Sequence, residues 1–409
     1  MTALLALIAT SGVLRIWLNA RQIGHLQRQR CTAPPHGWKD SQAQTRAIDT
    51  TIARTRVALA GIIAELAAFT WLAAAGIDTL DRLGQSARLQ PVVAAGLLVG
   101  AVLLARGTIR LGVQAVNTFA VDAKAGLGRP PIGLFVADSG KGLLLAAGYA
   151  LPMTAAVAAL MEAAPDLWWL WAWSLWFATF VARTWLRPVF ETQLFHTASR
   201  TEDPLLVASL ARLLQRCGLQ LAEVRIIDAS RRSRRANASV HGFGKAKRIL
   251  LHDTLLTELS PAEVEAVVAH EAGHARRRHI LRYVMGAGAA GLVAAIGLAT
   301  AGPWLGTTTS VRLAMFVIAL PFLGFFLRPL ALWALRRWEL EADEFAVSHV
   351  GADAMAGALT KLYAANASAP GSDPIYAMFY ASHPEPAQRL ERLSAPRPDC
   401  MASFSTNSP

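Results

Sequence analysis

The sequence predicts a mainly α-helical, polytopic membrane protein with about seven transmembrane helices and a soluble core that carries a small β-sheet. The 409 residues are 54% hydrophobic and only 17% charged, which is too apolar for an ordinary soluble protein. Apolar stretches, each long enough to cross about 30 Å of hydrocarbon, recur along the chain. Between residues 187 and 282 the pattern changes to short strand-like and amphipathic segments, which indicates a domain folded outside the bilayer.

The seven predicted spans are 3–20, 57–76, 91–106, 142–162, 167–186, 283–303 and 311–335. The first contains Arg15, has no basic segment before it and shows no convincing cleavage site, so we expect a retained anchor rather than a cleaved signal peptide. With the amino terminus outside, lysine and arginine concentrate in the loops that fall inside. The positive-inside rule therefore predicts that the long soluble segment and the carboxyl terminus face the cytoplasm.

The soluble segment begins with an amphipathic pattern over residues 204–217, which predicts a helix. Residues 223–228 and 247–253 are short, apolar and rich in branched side chains, which predicts two strands. Gly242 and Gly244 mark a turn before the second strand. We therefore expect a small sheet at this point in the chain.

A well-specified helix follows this sheet and carries the motif His-Glu-x-x-His. Ser260 supplies a capping hydroxyl, a proline follows it, and Glu263 stands three residues after the cap, a combination typical of a helix start. His270 and His274 are four residues apart and project from one face, so they can bind one zinc ion. Glu271 can then take a proton from a metal-bound water, a pattern typical of zinc peptidases.

A catalytic zinc ion takes three protein ligands and keeps one position for water, so the two histidines need a third partner. One candidate is His279, five residues after His274. The metzincin pattern requires a glycine three residues and a histidine six residues after the second histidine. Arg277 and Ile280 occupy those places, which excludes that subclass.

The remaining common solution is a carboxylate from a second helix, and the segment RRWELEADEFA offers one. Glu339 is the predicted ligand, and Asp343, one turn later, is the predicted acceptor for an imidazole N–H. Glu341 points to another face and is the weaker choice. A small sheet packed against the motif helix is the zincin arrangement, and an exposed strand there can pair with an extended substrate backbone.

The net charge of +12 raises the question of nucleic acid binding, but no recognised nucleic-acid module is present and the basic residues are spread over membrane-adjacent loops. Attraction to anionic lipid headgroups explains the excess more simply. Cys31, Cys217 and Cys400 are odd in number and far apart, so neither a disulfide framework nor a thiolate zinc site is indicated. The scarcity of lysine relative to arginine is typical of GC-rich bacterial genomes.

The run RRSRRANASVHGFGKAKRILLHDTLLTELSPAEVEAVVAHEAGHARRRH, followed by RRWELEADEFA and ASHPEPAQRLERL, resembles the integral-membrane CAAX prenyl endopeptidases and their bacterial relatives. The resemblance extends upstream through AIDTTIARTR, VNTFAVDAKAGLGRPPIGLFVAD and the tryptophan-rich fifth span, so it covers most of the chain. Shorter heat-shock-type membrane zinc proteases share the two motifs but lack this long amino-terminal half. The resemblance implies seven helices around a large intramembrane chamber that contains one zinc ion.

The resemblance also implies roles for individual residues. His270, His274 and Glu339 match the zinc ligands of a gluzincin set, Glu271 matches the general base, and Asp343 matches the carboxylate that supports a ligand.

Further matches concern the substrate. Asn237 and Ala238 match the substrate-binding edge, while His383 and Arg389 match a histidine and an arginine implicated in holding the scissile carbonyl and the carboxyl-terminal part of the substrate. The family often has His-Ser-Asn-Ala-Tyr where residues 235–239 read Arg-Ala-Asn-Ala-Ser. Substrate contacts on this edge are therefore expected to differ, although the asparagine is retained.

The expected function is that of a membrane-embedded zinc metalloendopeptidase acting on a peptide or protein substrate, with the lipid bilayer as its other partner and no nucleic acid. A bacterial inner membrane is the expected location, where membrane or misfolded proteins would be the substrates. A rival hypothesis is a catalytically silent scaffold or transporter with a structural metal, suggested by Arg15 and Arg328 at membrane depth. Such a site needs a fourth protein ligand, which the sequence does not supply.

The predicted spans and motifs divide the chain into five regions. The first three are a membrane region with five helices (1–186), a cytoplasmic segment with the His-Glu-x-x-His helix (187–282) and two further transmembrane helices (283–335). A part with the second motif helix (336–396) and a polar tail expected to be poorly ordered (397–409) follow.

Overall fold

The computed structural model describes residues 1–32, 41–242 and 244–394, apart from the side chains of 187–193. The predicted tail, 397–409, lies outside these ranges. The amino-terminal half consists of the helices α1 (Thr2–Gln29), α2 (Ser41–Trp71), α3 (Ile77–Ser86), α4 (Pro91–Val116), α5 (Ile132–Ala163) and α6 (Trp168–Leu194). A π-helical turn joins α2 to α3, and another continues α4 to Asp122.

The second half alternates strands and helices before two long helices return to the membrane. Its elements are β1 (Ala198–Arg200), α7 (Pro204–Arg216), β2 (Gln220–Ile227), β3 (Ala238–His241), β4 (Ala246–His252), α8 (Asp253–Glu258), α9 (Pro261–Arg276), α10 (His279–Leu305), α11 (Thr309–Val350), α12 (Ala352–Ala365), α13 (Pro374–Tyr380) and α14 (Pro386–Ser394).

Among the described residues, six helices are long and apolar enough to cross a membrane: α1, α2 with α3, α4 with its extension, α5, α10 and α11. The predicted span 167–186 corresponds to α6, which is 27 residues long but is not one of the six. Each of its many tryptophans carries a polar N–H, so the mean hydropathy of α6 is lower than that of an aliphatic span. The expected number of seven was therefore approximate, while the integral, multi-pass character is clear.

The helix α11 is unusually long for a membrane span. Its 42 residues correspond to about 63 Å at 1.5 Å per residue, roughly twice the hydrocarbon thickness. The first part packs in the apolar membrane core, where Phe322 meets Phe69 edge to face. The last turns leave that core and pack against α9. One continuous helix thus links the membrane region to the soluble domain.

The soluble domain contains a mixed four-stranded sheet in the order β1-β2-β4-β3. The strands β2 and β4 pair in parallel and match the two predicted strands, while β1 and β3 add antiparallel edges of three and four residues. Gly242 makes the turn from β3 to β4 with φ of 126°, and a Cβ at this position would lie 2.5 Å from the carbonyl oxygen of Ala246. A side chain there would disrupt the hairpin.

Ion pairs join the soluble domain to one end of the membrane helices. Asp122 accepts from Arg54 at 2.7 Å and from Arg235 at 2.8 Å, and Arg232 donates to Asp138 at 2.8 Å. The amino-terminal parts of α2 and α5 and the end of the α4 extension therefore lie on the same side as the sheet. This arrangement fixes the position of the segment that leads into β3.

Candidate metal centre

The helix α9 begins at a capping box. The Ser260 N–H donates to Glu263 Oε2 at 2.7 Å, and Lys361 Nζ donates to the same oxygen at 2.6 Å. Burial alone would raise the pKa of Glu263, but these hydrogen bonds outweigh it and hold the pKa below its usual value. The cap fixes the start of the helix that carries the first motif.

The helix α9 lies very close to α11 at Gly273, the residue between the two motif histidines. A Cβ at Gly273 would lie 3.1 Å from Phe345 Cβ and 3.2 Å from Ala342 Cα. Because glycine has no Cβ, the two helices approach more closely at Gly273 than a larger residue would allow. The close packing places the motif of α9 opposite the acidic residues of α11.

The structure brings together the three residues that the sequence predicted as ligands. His274 Nε2 lies 3.3 Å from Glu339 Oε1, His270 Nε2 lies 3.6 Å from Glu339 Oε2, and the two Nε2 atoms are 3.1 Å apart. One donor atom from each side chain lies within 4.8 Å of the others. Two imidazole nitrogens and a carboxylate oxygen therefore face one point.

Asp343, the predicted acceptor for an imidazole N–H, lies behind the first histidine. Its Oδ1 atom is 2.9 Å from His270 Nδ1, so His270 is held at the nitrogen that faces away from Glu339. Burial would lower the pKa of His270, but contacts with Asp343 and Glu339 outweigh it and raise the pKa to about 9. The site therefore favours positive charge at this point, and its donor set fits a bound metal cation.

Arg389 lies deeper than a substrate-binding residue at an open edge would. It donates to both carboxylate oxygens of Asp343, at 2.7 and 2.5 Å, and to the Tyr363 hydroxyl at 3.3 Å. Its side chain is 6% exposed, and the carboxylate of Asp343 raises its pKa against the effect of burial. In this structure Arg389 holds Asp343, and the contact with substrate stays a prediction.

Glu271 and His383 border the convergent donor atoms. Glu271 is half-buried, and burial raises the pKa of its carboxyl group above the usual value even though His270 and His274 oppose the rise. His383 Nδ1 lies 2.7 Å from Glu339 Oε2, and its side chain is 63% exposed. It is therefore accessible from outside the site.

The segment that carries His383 is held by an arginine of α11. Arg336 donates to the carbonyl oxygens of Ala377 and Ala381 at 3.1 and 2.8 Å. Ala381 directly follows α13, and the Ala377 carbonyl also accepts from the Ala381 N–H at 3.0 Å, so the guanidinium binds the last turn of that helix. The same helix that carries Glu339 thus positions the loop of His383.

The predicted substrate edge lies next to α9. Asn237 is exposed immediately before β3, and its carbonyl oxygen accepts from the His252 N–H at 3.1 Å. Ala238 is buried in register with Leu251, and β3 packs against α9. Within the described residues β3 pairs with β4 alone, so its other edge is open.

One close contact near the metal centre was not predicted from the sequence. His279, considered above as a third ligand, lies 2.9 Å from His274 through the two Nδ1 atoms and does not reach the convergent donor set. Glu341 does lie on another face, as predicted, and contacts His279 at 3.3 Å. Motif spacing could not reveal this arrangement, because it depends on a helix break between α9 and α10.

Comparison with known proteins agrees with this architecture. A family model described as the CAAX prenyl protease N-terminal region with five membrane helices matches residues 22–197, and the model of peptidase family M48 matches residues 201–397. The crystal structure of Ste24p from S. mikatae has the same fold, with a TM-score of 0.85 and 21% identity over 96% of this chain and 98% of that one.

Curated relatives cover most of the chain. CAAX prenyl protease 1 of Saccharomyces cerevisiae is 30% identical over 70% of this chain and 68% of its own length. Its homologue from rice, Oryza sativa, is 28% identical over 68% of each chain, and the human homologue is 25% identical over 68% of each. These similarities indicate a membrane metalloprotease and do not favour a silent scaffold. The chain belongs to the CAAX prenyl protease family of M48 metallopeptidases.

Proposed function

We propose that this membrane metalloprotease hydrolyses peptide bonds at one zinc ion per chain, held by His270, His274 and Glu339. The observation that carries the proposal is the convergence of two Nε2 atoms and a carboxylate oxygen within 4.8 Å. Two imidazoles and one carboxylate are a ligand set typical of catalytic zinc, which keeps a further position open. Bound zinc supplies a Lewis acid for the scissile carbonyl and acidifies the attacking water.

In this proposal Glu271 moves the proton. Its carboxylate accepts a proton from the attacking water and later delivers it to the leaving amine. Burial favours the protonated form of Glu271, so the group takes up and releases a proton closer to neutral pH than an ordinary glutamate does. Asp343 Oδ1 lies 2.9 Å from His270 Nδ1 and is proposed to support that nitrogen and so direct Nε2 toward the metal.

His383 is proposed to stabilise the oxyanion that forms at the scissile carbonyl. It is exposed and lies beside Glu339, so its ring can approach a substrate from the open side. Donors aimed at developing negative charge lower the barrier to acyl transfer. Arg336 acts here by holding the loop that carries the histidine.

The open edge of β3 is the proposed binding surface for an extended substrate. Main-chain hydrogen bonds to an edge strand supply affinity, and adjacent pockets supply selectivity. Asn237 and Ala238 stand at the start of this edge, next to α9. Arg389 is proposed to act on substrate through Asp343 and the shape of the site, since its own side chain is nearly buried.

The proposed substrates are membrane-associated or misfolded polypeptides, with cleavage on the cytoplasmic side of a bacterial inner membrane. The relatives are named CAAX prenyl protease 1, whereas a bacterial host, as proposed here, would lack prenylated CAAX proteins, so another substrate class is proposed. The sheet lies at the end of the membrane helices where Arg235 contacts Asp122, and lysine and arginine are frequent in the sequence near that end. This placement supports the proposed orientation, with the sheet in the cytoplasm.

The decisive experiment uses purified full-length protein in detergent with a peptide library. We expect cleavage that a chelator abolishes and zinc restores. Glu271→Gln should retain one zinc ion per chain and lose proteolysis, whereas Glu339→Ala should lose zinc. Glu344→Gln, an exposed change next to the site, is the control and should retain both. A Glu271→Gln enzyme that cleaves normally would overturn the proposed mechanism.

The substrate class needs a separate measurement. Membrane proteomes from cells with the active enzyme and with the Glu271→Gln enzyme should differ in proteins that accumulate uncleaved in the latter. Accumulation confined to soluble, folded proteins would contradict the proposed class.

A further inference from the structure

The two histidines of the proposed metal site are held in different ways at Nδ1. His270 contacts a carboxylate directly, through Asp343 at 2.9 Å. His274 instead contacts another imidazole, since its Nδ1 atom lies 2.9 Å from His279 Nδ1. The two rings meet nearly edge to face, with an interplanar angle of 77°. A hydrogen bond between the two nitrogens fits this geometry.

The position of His279 results from an unusual turn. The helix α9 ends at Arg276, and α10 begins at His279 after Arg278, whose φ of 55° is left-handed. In an unbroken helix a residue five positions after His274 would point about 140° away from it. The turn at Arg278, a conformation that residues other than glycine rarely adopt, brings the ring back against His274.

The second helix of the site fixes the other faces of His279. Trp338, the neighbour of Glu339, stacks on the imidazole with ring centroids 5.4 Å apart and an interplanar angle of 11°. Glu341 Oε2 lies 3.3 Å from His279 Nε2 and 3.3 Å from a guanidinium nitrogen of Arg282. The side chain of His279 is only 4% exposed, so these contacts define its surroundings.

The hydrogen bonds of this group have a single consistent direction. His274 Nε2 faces Glu339, so a neutral His274 that binds a metal there carries its proton on Nδ1. That proton can be donated only to an unprotonated His279 Nδ1. Neutral His279 then carries its own proton on Nε2, where Glu341 accepts it. The chain therefore runs from His274 through His279 to the carboxylate.

We propose that His279 is a positioning residue of the metal site, which holds His274 for binding and is itself anchored by Glu341. The inference rests on the proposed function of His270, His274 and Glu339 as metal ligands. It gives each histidine a carboxylate behind Nδ1. His270 contacts Asp343 directly, whereas His274 reaches Glu341 through the imidazole of His279. Loss of such an outer partner typically weakens metal binding about 10- to 100-fold.

Two substitutions separate positioning from simple packing. His279→Asn places an amide oxygen near the position of Nδ1 and keeps an acceptor for His274. His279→Leu fills similar space without any acceptor. We expect His279→Leu to weaken Zn²⁺ affinity about 10- to 100-fold and His279→Asn to stay within about threefold of the wild type. Packing alone predicts that leucine is tolerated at least as well as asparagine.

The measurement is competition between the purified full-length protein and a chelator of known Zn²⁺ affinity, with the unfolding temperature of the metal-free form as a check on folding. The inference is overturned by wild-type affinity in His279→Leu, or by equal losses in both variants. Glu339→Ala is measured in parallel. If Glu339→Ala binds Zn²⁺ normally, the metal site itself is wrong; if only Glu339→Ala loses Zn²⁺, the role of His279 alone is refuted.

Discussion

Replacement of Arg389 by methionine tests whether this arginine holds the site together or only contacts substrate. The guanidinium and the carboxylate of Asp343 are 6% and 7% exposed and share two hydrogen bonds at 2.7 and 2.5 Å. Methionine keeps much of the length and removes the charge. Asp343 would then remain buried beside His270, whose Nδ1 lies 2.9 Å from its Oδ1.

The expected cost can be worked out in two ways. Removal of one partner from a buried ion pair typically costs about 3–5 kcal/mol, because the other charge stays buried. Two unit charges about 4 Å apart interact by about 4 kcal/mol at an effective dielectric constant of about 20. The estimates agree, and with an unfolding entropy of about 2.1 cal/mol/K per residue over the 409 residues they predict that the unfolding temperature falls by about 4–6 °C.

The assay is thermal unfolding of the purified protein in detergent, with Arg392→Met as the control. Arg392 is exposed on the same helix, and its replacement should change stability by less than about 0.5 kcal/mol. Asp343→Asn and the double variant complete a cycle, in which the double variant should be less destabilised than the sum of the single changes. An Arg389→Met protein that unfolds within 2 °C of the wild type, with only a raised KM, would refute the reasoning.

Three further predictions concern the position and stability of α9. Glu263→Ala should lower the free energy of unfolding by about 1 kcal/mol through loss of the cap. The control is Glu258→Ala, a change at an exposed residue, which should leave this free energy unchanged. Equal decreases in both variants would contradict the role of the cap. Because the folded pKa of Glu263 is lowered, its charge stabilises the fold above the ordinary pKa of 4.5, and this contribution is lost as pH falls through the folded pKa. Metal-free wild type should therefore lose more stability on acidification than Glu263→Gln, as unfolding temperatures across pH will reveal. Gly273→Ala should separate α9 from α11 and weaken Zn²⁺ binding, measured by competition with a chelator. The control is Gly286→Ala, where an added Cβ would meet no described atom within 4 Å, and it should leave Zn²⁺ binding unchanged. Unchanged Zn²⁺ binding in Gly273→Ala would disprove the need for close approach of the two helices.

The parts of the site encoded by local spacing could be predicted from the sequence. The cap at Ser260 and the four-residue spacing of His270 and His274 define both the helix and the face of the histidines. Glu339 followed from the need for a third ligand combined with an acidic helix downstream. The structure places these side chains together because α9 and α11 approach each other at Gly273.

The parts that depend on distant contacts could not be predicted. The strands β1 and β3 are three and four residues long, so their identity depends on pairing with β2 and β4 rather than on their own pattern. The contact of His279 depends on the left-handed turn at Arg278, which no helix-favouring signal encodes. The burial of Arg389 depends on Asp343, which is 46 residues away in the sequence.

The continuous helix α11 connects the bilayer to Glu339, the proposed third ligand. Glu339 lies about 25 Å along the rod from Phe322, at 1.5 Å per residue, and Phe322 is fixed in the apolar interior. Pro329 lies between these residues and removes one helical hydrogen bond; over that length a tilt of about 5° moves the far end by about 2 Å. Because α9 packs against the same part of α11, we expect a change in the tilt of this long span, one response to a change in bilayer thickness, to move Glu339 and the imidazoles together relative to the membrane.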